Sequence, residues 1–199
     1  MPNDPAFQKR VLTAALNLLP FQQEGPILVD FPEEAPSASE TATGWACPIN
    51  FSRHREELDG IHQQLDMFKD EISKLRPWYD LGLKKRGRTT VGLSSLDIDA
   101  LCDFIGSFLR NVTPDNPSKE IPLGEMLRFA AEDLKSFYYE AATAQPGAKA
   151  PDSTELTDWF WEQTVAAQVL HAVKNACMSS DDDDLQMAAS MFLIPMDRM

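Results

Sequence analysis

Between residues 74 and 88 the sequence runs Lys-Leu-Arg-Pro-Trp-Tyr-Asp-Leu-Gly-Leu-Lys-Lys-Arg-Gly-Arg. Six of the chain's 18 bases stand there, against one acid, Asp80. Arginine offers a planar fork of donors that grips a carboxylate or phosphate at two points, and an aromatic face attracts cations. Arg76, Trp78, Tyr79, Lys84, Lys85, Arg86 and Arg88 are therefore the candidate ligand-binding residues. Gly82 and Gly87 would let the backbone turn and approach a ligand. A phosphorylated small molecule, an acidic peptide or a nucleic acid would suit such a loop. The competing reading is that the chain's own acids hold these cations, Asp181 to Asp184 or Glu155 to Glu162 among them. Bases near the end of a preceding helix are also favoured by its dipole alone.

Other reactive side chains are sparse. Cys47, Cys102 and Cys177 are far apart and show no metal spacing. Cys102 and Cys177 fall on apolar helical faces, where cysteine acts as a small hydrophobe. Cys47 lies in a loop, seven residues before His54, with no third group to orient the pair. His62 belongs to Asp59-Gly-Ile-His62, a single degenerate copy of the Glu-x-x-His pattern of di-iron bundles. His171 sits between Leu170 and Ala172 and reads as a core histidine. Glu155, Asp158 and Glu162 share a helix face and read as a solvated acidic surface. Asp181 to Asp184 follow Ser180, which reads as the helix cap, and read as the acidic first turn of that helix. No glycine and terminal glutamate follow at calcium-loop spacing. No phosphate-binding, dinucleotide-binding, nucleophile-elbow or zinc-protease motif is present. Catalytic residues, metal ligands and cofactors are accordingly expected to be none.

Charge narrows the partners. With 31 acids and 18 bases the chain carries −13. The balance is −4 over residues 1–50, +2 over 51–90 and −11 over 91–199. Such an acidic surface repels phosphate backbones and anionic lipid, so nucleic acid is a disfavoured partner and a membrane is not expected. Lys9-Arg10 before Val11-Leu12-Thr13-Ala14-Ala15-Leu16 imitates a signal peptide, yet no small-x-small site follows and Asn17 interrupts the run. No stretch reaches the roughly 18 apolar residues of a membrane span. A cytoplasmic location is expected.

The elements that would position these residues are helical. Asp4-Pro5 caps a first helix to about Leu19, with Phe7, Val11, Ala14, Ala15 and Leu18 on one face. Gly25 to Pro32 is an extended segment bounded by prolines, and residues 32–50 have linker composition. A second helix, capped at Ser52 and ending or kinking at Pro77, carries the best heptad pattern. Leu58, Leu65, Ile72 and Tyr79 alternate with Ile61, Phe68 and Leu75. Ser94 to Asp97 fits a capping box ahead of Ile98, Leu101, Cys102, Ile105, Phe108 and Leu109. Gly106 within that helix costs about 1 kcal/mol unless something packs closely against it. A fourth helix opens at Pro122 or Leu123, with Leu123, Met126, Leu127, Ala130, Leu134, Phe137, Tyr138 and Ala141 forming one apolar stripe. A fifth, Ser153 to about Met178, is apolar nearly all round and reads as a central core helix. A sixth, short one runs to about Phe192 with Leu185, Ala188 and Phe192 inward.

The expected fold is all-α, a helical bundle of five to six helices with a long heptad-patterned helix and an N-terminal helical arm. Its expected parts are residues 1–50 (helix, extended segment and linker), 51–90 (heptad helix and basic connector) and 91–199 (C-terminal bundle). The expected function is a non-catalytic cytoplasmic protein-interaction protein: an accessory subunit, adaptor or dedicated chaperone. Its partner would be another protein, or a second copy of itself through the 58–79 seam. The alternative is an anionic small-molecule-binding protein or enzyme with its site at the 76–90 loop.

Overall fold

The computed structural model describes residues 4–20, 25–26, 28–33, 60–110, 114–145 and 151–198. Among them are seven α-helices and no strand: α1 (Pro5–Leu16), α2 (Ile61–Arg86), α3 (Ile98–Ser107), α4 (Leu123–Ala144), α5 (Ser153–Gln163), α6 (Val165–Met178) and α7 (Asp183–Met191). The chain divides into two compact units, Met1–Thr43 and Gly44–Met199. Ser52, Leu58, Cys47 and His54 lie outside the described residues, as does nearly all of the 32–50 segment.

In the first unit Asp4 caps α1 by accepting from the Phe7 amide at 2.9 Å, ahead of Pro5 in the first turn. The helix ends at Leu16 rather than Leu19. Phe31 meets Phe7 edge to face at 6.0 Å, and Glu33 takes Arg10 with two prongs, at 2.8 and 2.6 Å. Phe7, Ala14 and Leu18 are half-buried. No residue of α1 is fully buried, and Leu12, Leu16 and Leu19 are 63%, 61% and 77% exposed.

The second unit is a bundle. α4 packs against α2, α3, α5 and α7, and α6 packs against α2, α3, α5 and α7. Leu65, Phe68, Ile72 and Leu75 of the heptad seam are all buried in the chain's own core. Met126, Leu127, Leu134, Phe137 and Tyr138 of α4 and Leu170 of α6 complete that core. A partner on the 58–79 seam would have to displace these helices. Gly106 is explained by Leu65, since a Cβ there would come within 2.7 Å of its Cδ2.

Four expectations are corrected. Of the two readings of Pro77, an end or a kink, the end is overturned, because α2 continues to Arg86. A proline inside a helix costs about 3 kcal/mol. Pro77 and Ser73, whose carbonyl loses its partner, both face solvent, while Leu75, Trp78 and Tyr79 pack into the core beside them. Ser94 does not cap α3; Asp97 does, accepting from Asp99 and Ala100 at 3.0 and 2.9 Å. Ser180 likewise yields to Asp182 as the cap of α7.

The single long helix expected over 153–178 is two helices, so the described residues hold seven α-helices, six of them in the bundle. Thr164 sits between them in extended backbone (φ −106°, ψ 148°). Its hydroxyl donates to the Phe160 carbonyl at 2.7 Å and accepts from the Ala167 amide at 3.2 Å. The apolar residues spread all round because two short helices bury different faces: Trp159 and Phe160 in α5, and Val165, Ala166, Val169, Leu170 and Val173 in α6.

Candidate functional site

The basic stretch is mostly helix. Lys84, Lys85 and Arg86 form the last turn of α2, where cations suit the negative end of the dipole. Gly87 closes that turn in the left-handed conformation (φ 68°), its amide donating to the Leu83 carbonyl at 2.8 Å. Gly82 is not in a loop either. It is buried where a Cβ would come within 2.9 Å of Ala144 Cβ, letting α2 and α4 approach closely.

The helix distributes the candidate residues rather than converging them. Arg76 and Arg86 are ten residues apart, about 15 Å along the axis. Arg76 reaches α3 and pairs with Asp99 at 2.5 Å. Arg86 reaches α4 and pairs with Glu140 at 3.0 Å. The acids that hold these arginines are thus Asp99 and Glu140, not Asp181 to Asp184 or the Glu155 to Glu162 face. Trp78 packs against the core. Tyr79 stacks on Phe137 with ring centres 4.8 Å apart, and its hydroxyl meets Thr89 Oγ1 at 2.9 Å. Lys84, Lys85 and Arg88 are exposed and make no ion pair among the described residues.

Two α4 carboxylates, seven residues apart, hold the connector that follows. Glu140 accepts from the Thr90 amide and hydroxyl at 2.7 and 2.9 Å as well as from Arg86. Asp133 is fully buried and accepts from the amides of Gly92, Leu93 and Ser94 at 2.7, 3.0 and 2.8 Å, and from the Ser94 hydroxyl at 2.6 Å. The connector turns with Gly92 at φ 137° and Ser95 at φ 58°. Ser94 is thus a ligand of a distant aspartate rather than a helix cap.

A third carboxylate lies inside the bundle. Glu71 of α2 is 3% exposed. It accepts from the Tyr138 hydroxyl at 2.9 Å, from the Val165 amide at 2.9 Å and from the Ala166 amide at 3.2 Å. These amides have no partner inside α6 because Thr164 breaks the helix before them. Burial pushes the Glu71 carboxyl up to about 7, opposed by the bonds from Val165, Tyr138 and Ala166. The Tyr138 phenol is raised well above its ordinary value, first by burial and then by Glu71. Sequence reasoning missed Asp133 and Glu71. The available signal was an acid at a position where the apolar spacing demands a core residue, as with Glu71 beside Phe68, Ile72 and Leu75.

The remaining candidates are scattered. Asp158 and Glu162 hold Arg198, the first in close contact and the second at 3.6 Å, while Glu155 completes a capping box with Asp152 at the start of α5. His171 stacks edge-on against Trp161 at 5.8 Å, and burial lowers its pKa. Cys102 and Cys177 are free and buried. Burial pushes their thiols up to about 12 and about 11. Among the described residues no three His, Cys, Asp or Glu side chains gather as a metal would require, and no helix is long and apolar enough to cross a membrane. No protein-family model matches the chain, and no curated protein or solved structure matches it significantly.

Proposed function

We propose that the chain is a non-catalytic, cytoplasmic protein-interaction protein, an accessory subunit, adaptor or dedicated chaperone, whose recognition element is α1. The observation that carries this reading is the exposed stripe of Leu12, Leu16 and Leu19. Leu12 and Leu16 stand one turn apart on α1, the i, i+4 anchor spacing of an amphipathic helix that lies in an apolar groove, and Leu19 follows in the turn just after α1. Phe7 and Ala14 on the opposite face, and Leu18 just beyond the helix, are already half-covered, so α1 carries apolar surface that the described residues of its unit do not cover. Residues 5–20 hold no acid, and with Arg10 held by Glu33 the exposed Lys9 is the cation that favours a groove with an acidic rim. Two reduced, buried cysteines suit a cytoplasmic setting.

The test is size-exclusion chromatography and affinity capture of the full chain and of a Leu12→Glu, Leu16→Glu variant. The intact chain should carry one stoichiometric partner, another protein or a second copy. The variant, with its helical circular dichroism unchanged, should lose it. A complex that survives both substitutions would refute α1 as the recognition element.

A second reading is an anionic ligand held at the end of α2. The specific observation is that Lys84, Lys85 and Arg88 are exposed without a carboxylate partner among the described residues. Thermal shifts with inorganic phosphate, nucleotides and acidic metabolites would support it if Lys84→Ala, Lys85→Ala and Arg88→Ala together abolish them.

A further inference from the structure

We propose that Glu71 is a latch that keeps residues 153–178 bent into two helices, and that ionisation of its carboxyl favours release of the latch and opening of the α5–α6 corner. The apolar pattern of 153–178 permits one continuous helix, whereas the fold inserts extended backbone at Thr164. Breaking a helix in the interior orphans the first amides of the second half. Here those amides find one acceptor, the carboxyl of a residue 94 positions earlier in the sequence. That carboxyl also receives the Tyr138 hydroxyl, so α2, α4 and α6 meet on a single group.

The direction of the switch follows from solvation. A carboxyl protonated on Oε1 gives up the Val165 contact to that atom at 2.9 Å but keeps Oε2 as an acceptor, the atom that Tyr138, Val165 and Ala166 each reach within 3.2 Å. Ionisation leaves a charge in an interior that only partly compensates it, and burial is the largest influence on this group. An open corner, with Glu71 in water, would relieve that cost. The charged and titratable groups around it change the balance little. Tyr138 from α4 remains a neutral donor, with Cys102 acting on Tyr138 rather than directly on Glu71. Lys74, one turn along α2, favours the anion weakly and is itself exposed and tied to Asp70 at 2.5 Å. α6 contributes its backbone amides.

Amide exchange of Val165 and Ala166 in the full chain, measured by NMR between pH 6 and pH 9 and corrected for intrinsic chemistry, tests the proposal. With the carboxyl at about 7 in the closed corner and 4.5 in water, opening should become about tenfold more frequent over that range. In Glu71→Gln, which keeps an acceptor oxygen but cannot ionise, protection of the two amides should not vary with pH. The Glu71 carboxyl carbon shift, followed in the unmodified protein, should titrate with a midpoint near neutrality. A midpoint in the ordinary carboxylate range, or equal pH dependence in Glu71→Gln, would overturn the proposal. The carbon titration, taken with the pH dependence of the two amides in the unmodified protein, decides the matter even if the variant does not fold.

Discussion

Asp133 takes a carboxylate into the interior, where four donors of the connector converge on it. Replacing it with alanine leaves three amides and a hydroxyl without their acceptor, so Asp133→Ala should destabilise the fold by about 2–4 kcal/mol in urea unfolding. Arg86→Ala removes a pair that is partly exposed (32% and 14%) and should cost at most about 1 kcal/mol. Lys84→Ala, Lys85→Ala and Arg88→Ala should each stay within about 0.5 kcal/mol. Glu71 makes stability depend on pH. Its carboxyl sits at about 7 in the fold against 4.5 for the free group, so the folded state keeps a proton that the unfolded chain releases earlier. The stability it supplies is complete below about 4.5, drains as pH rises and is gone above about 7, about 3 kcal/mol in all. The unfolding free energy of the intact chain minus that of Glu71→Gln should fall by that order between pH 4 and pH 8. At this scale the sequence was least legible. The types and positions of the cations were plain, but nothing near Arg76 or Arg86 names Asp99 or Glu140 as partner. Ser94 looks like a cap only while Asp133 is out of view.

Helices were legible where local physics decides them. The Asp4-Pro5 cap, the inward face of α4 and the buried run Leu65, Phe68, Ile72 and Leu75 follow from capping and periodicity. They were illegible where tertiary contact overrides a local preference. Pro77 is carried through α2 because its unsatisfied face is wet and its neighbours are buried. The break at Thr164 had one local signal, a cap-forming residue inside an apolar run, and its amides are answered by a helix far away in the sequence. Gly124, by contrast, marks a contact that no local rule foretells. A Cβ there would lie 2.3 Å from the Asp184 carbonyl oxygen, which belongs to the backbone of α7 and cannot swing aside. Gly124→Ala should therefore push α4 from α7 and lower stability by more than about 2 kcal/mol in thermal or urea unfolding, despite alanine's better helix propensity. Gly106→Ala meets only the movable end of Leu65 and should cost less in the same measurement.

The whole molecule joins a well-filled bundle to a unit whose helix buries nothing completely. The bundle's thiols illustrate its closure. With Cys102 and Cys177 buried and raised to about 12 and about 11, alkylation at pH 8 followed by peptide mapping should leave both unmodified in the native chain and modify both after denaturation. The cations that first suggest a ligand site are divided: Arg76 and Arg86 bind the bundle's own acids, and Lys84, Lys85 and Arg88 remain at its surface. The surplus apolar surface of α1 is what the interaction reading rests on. Amide exchange across the full chain, alone and with its stoichiometric partner, tests that reading most directly. Residues 5–16 should exchange quickly in the free chain and gain protection in the complex, while the core of α4 stays unchanged. Protection gained around residues 84–90 with none in α1 would contradict it.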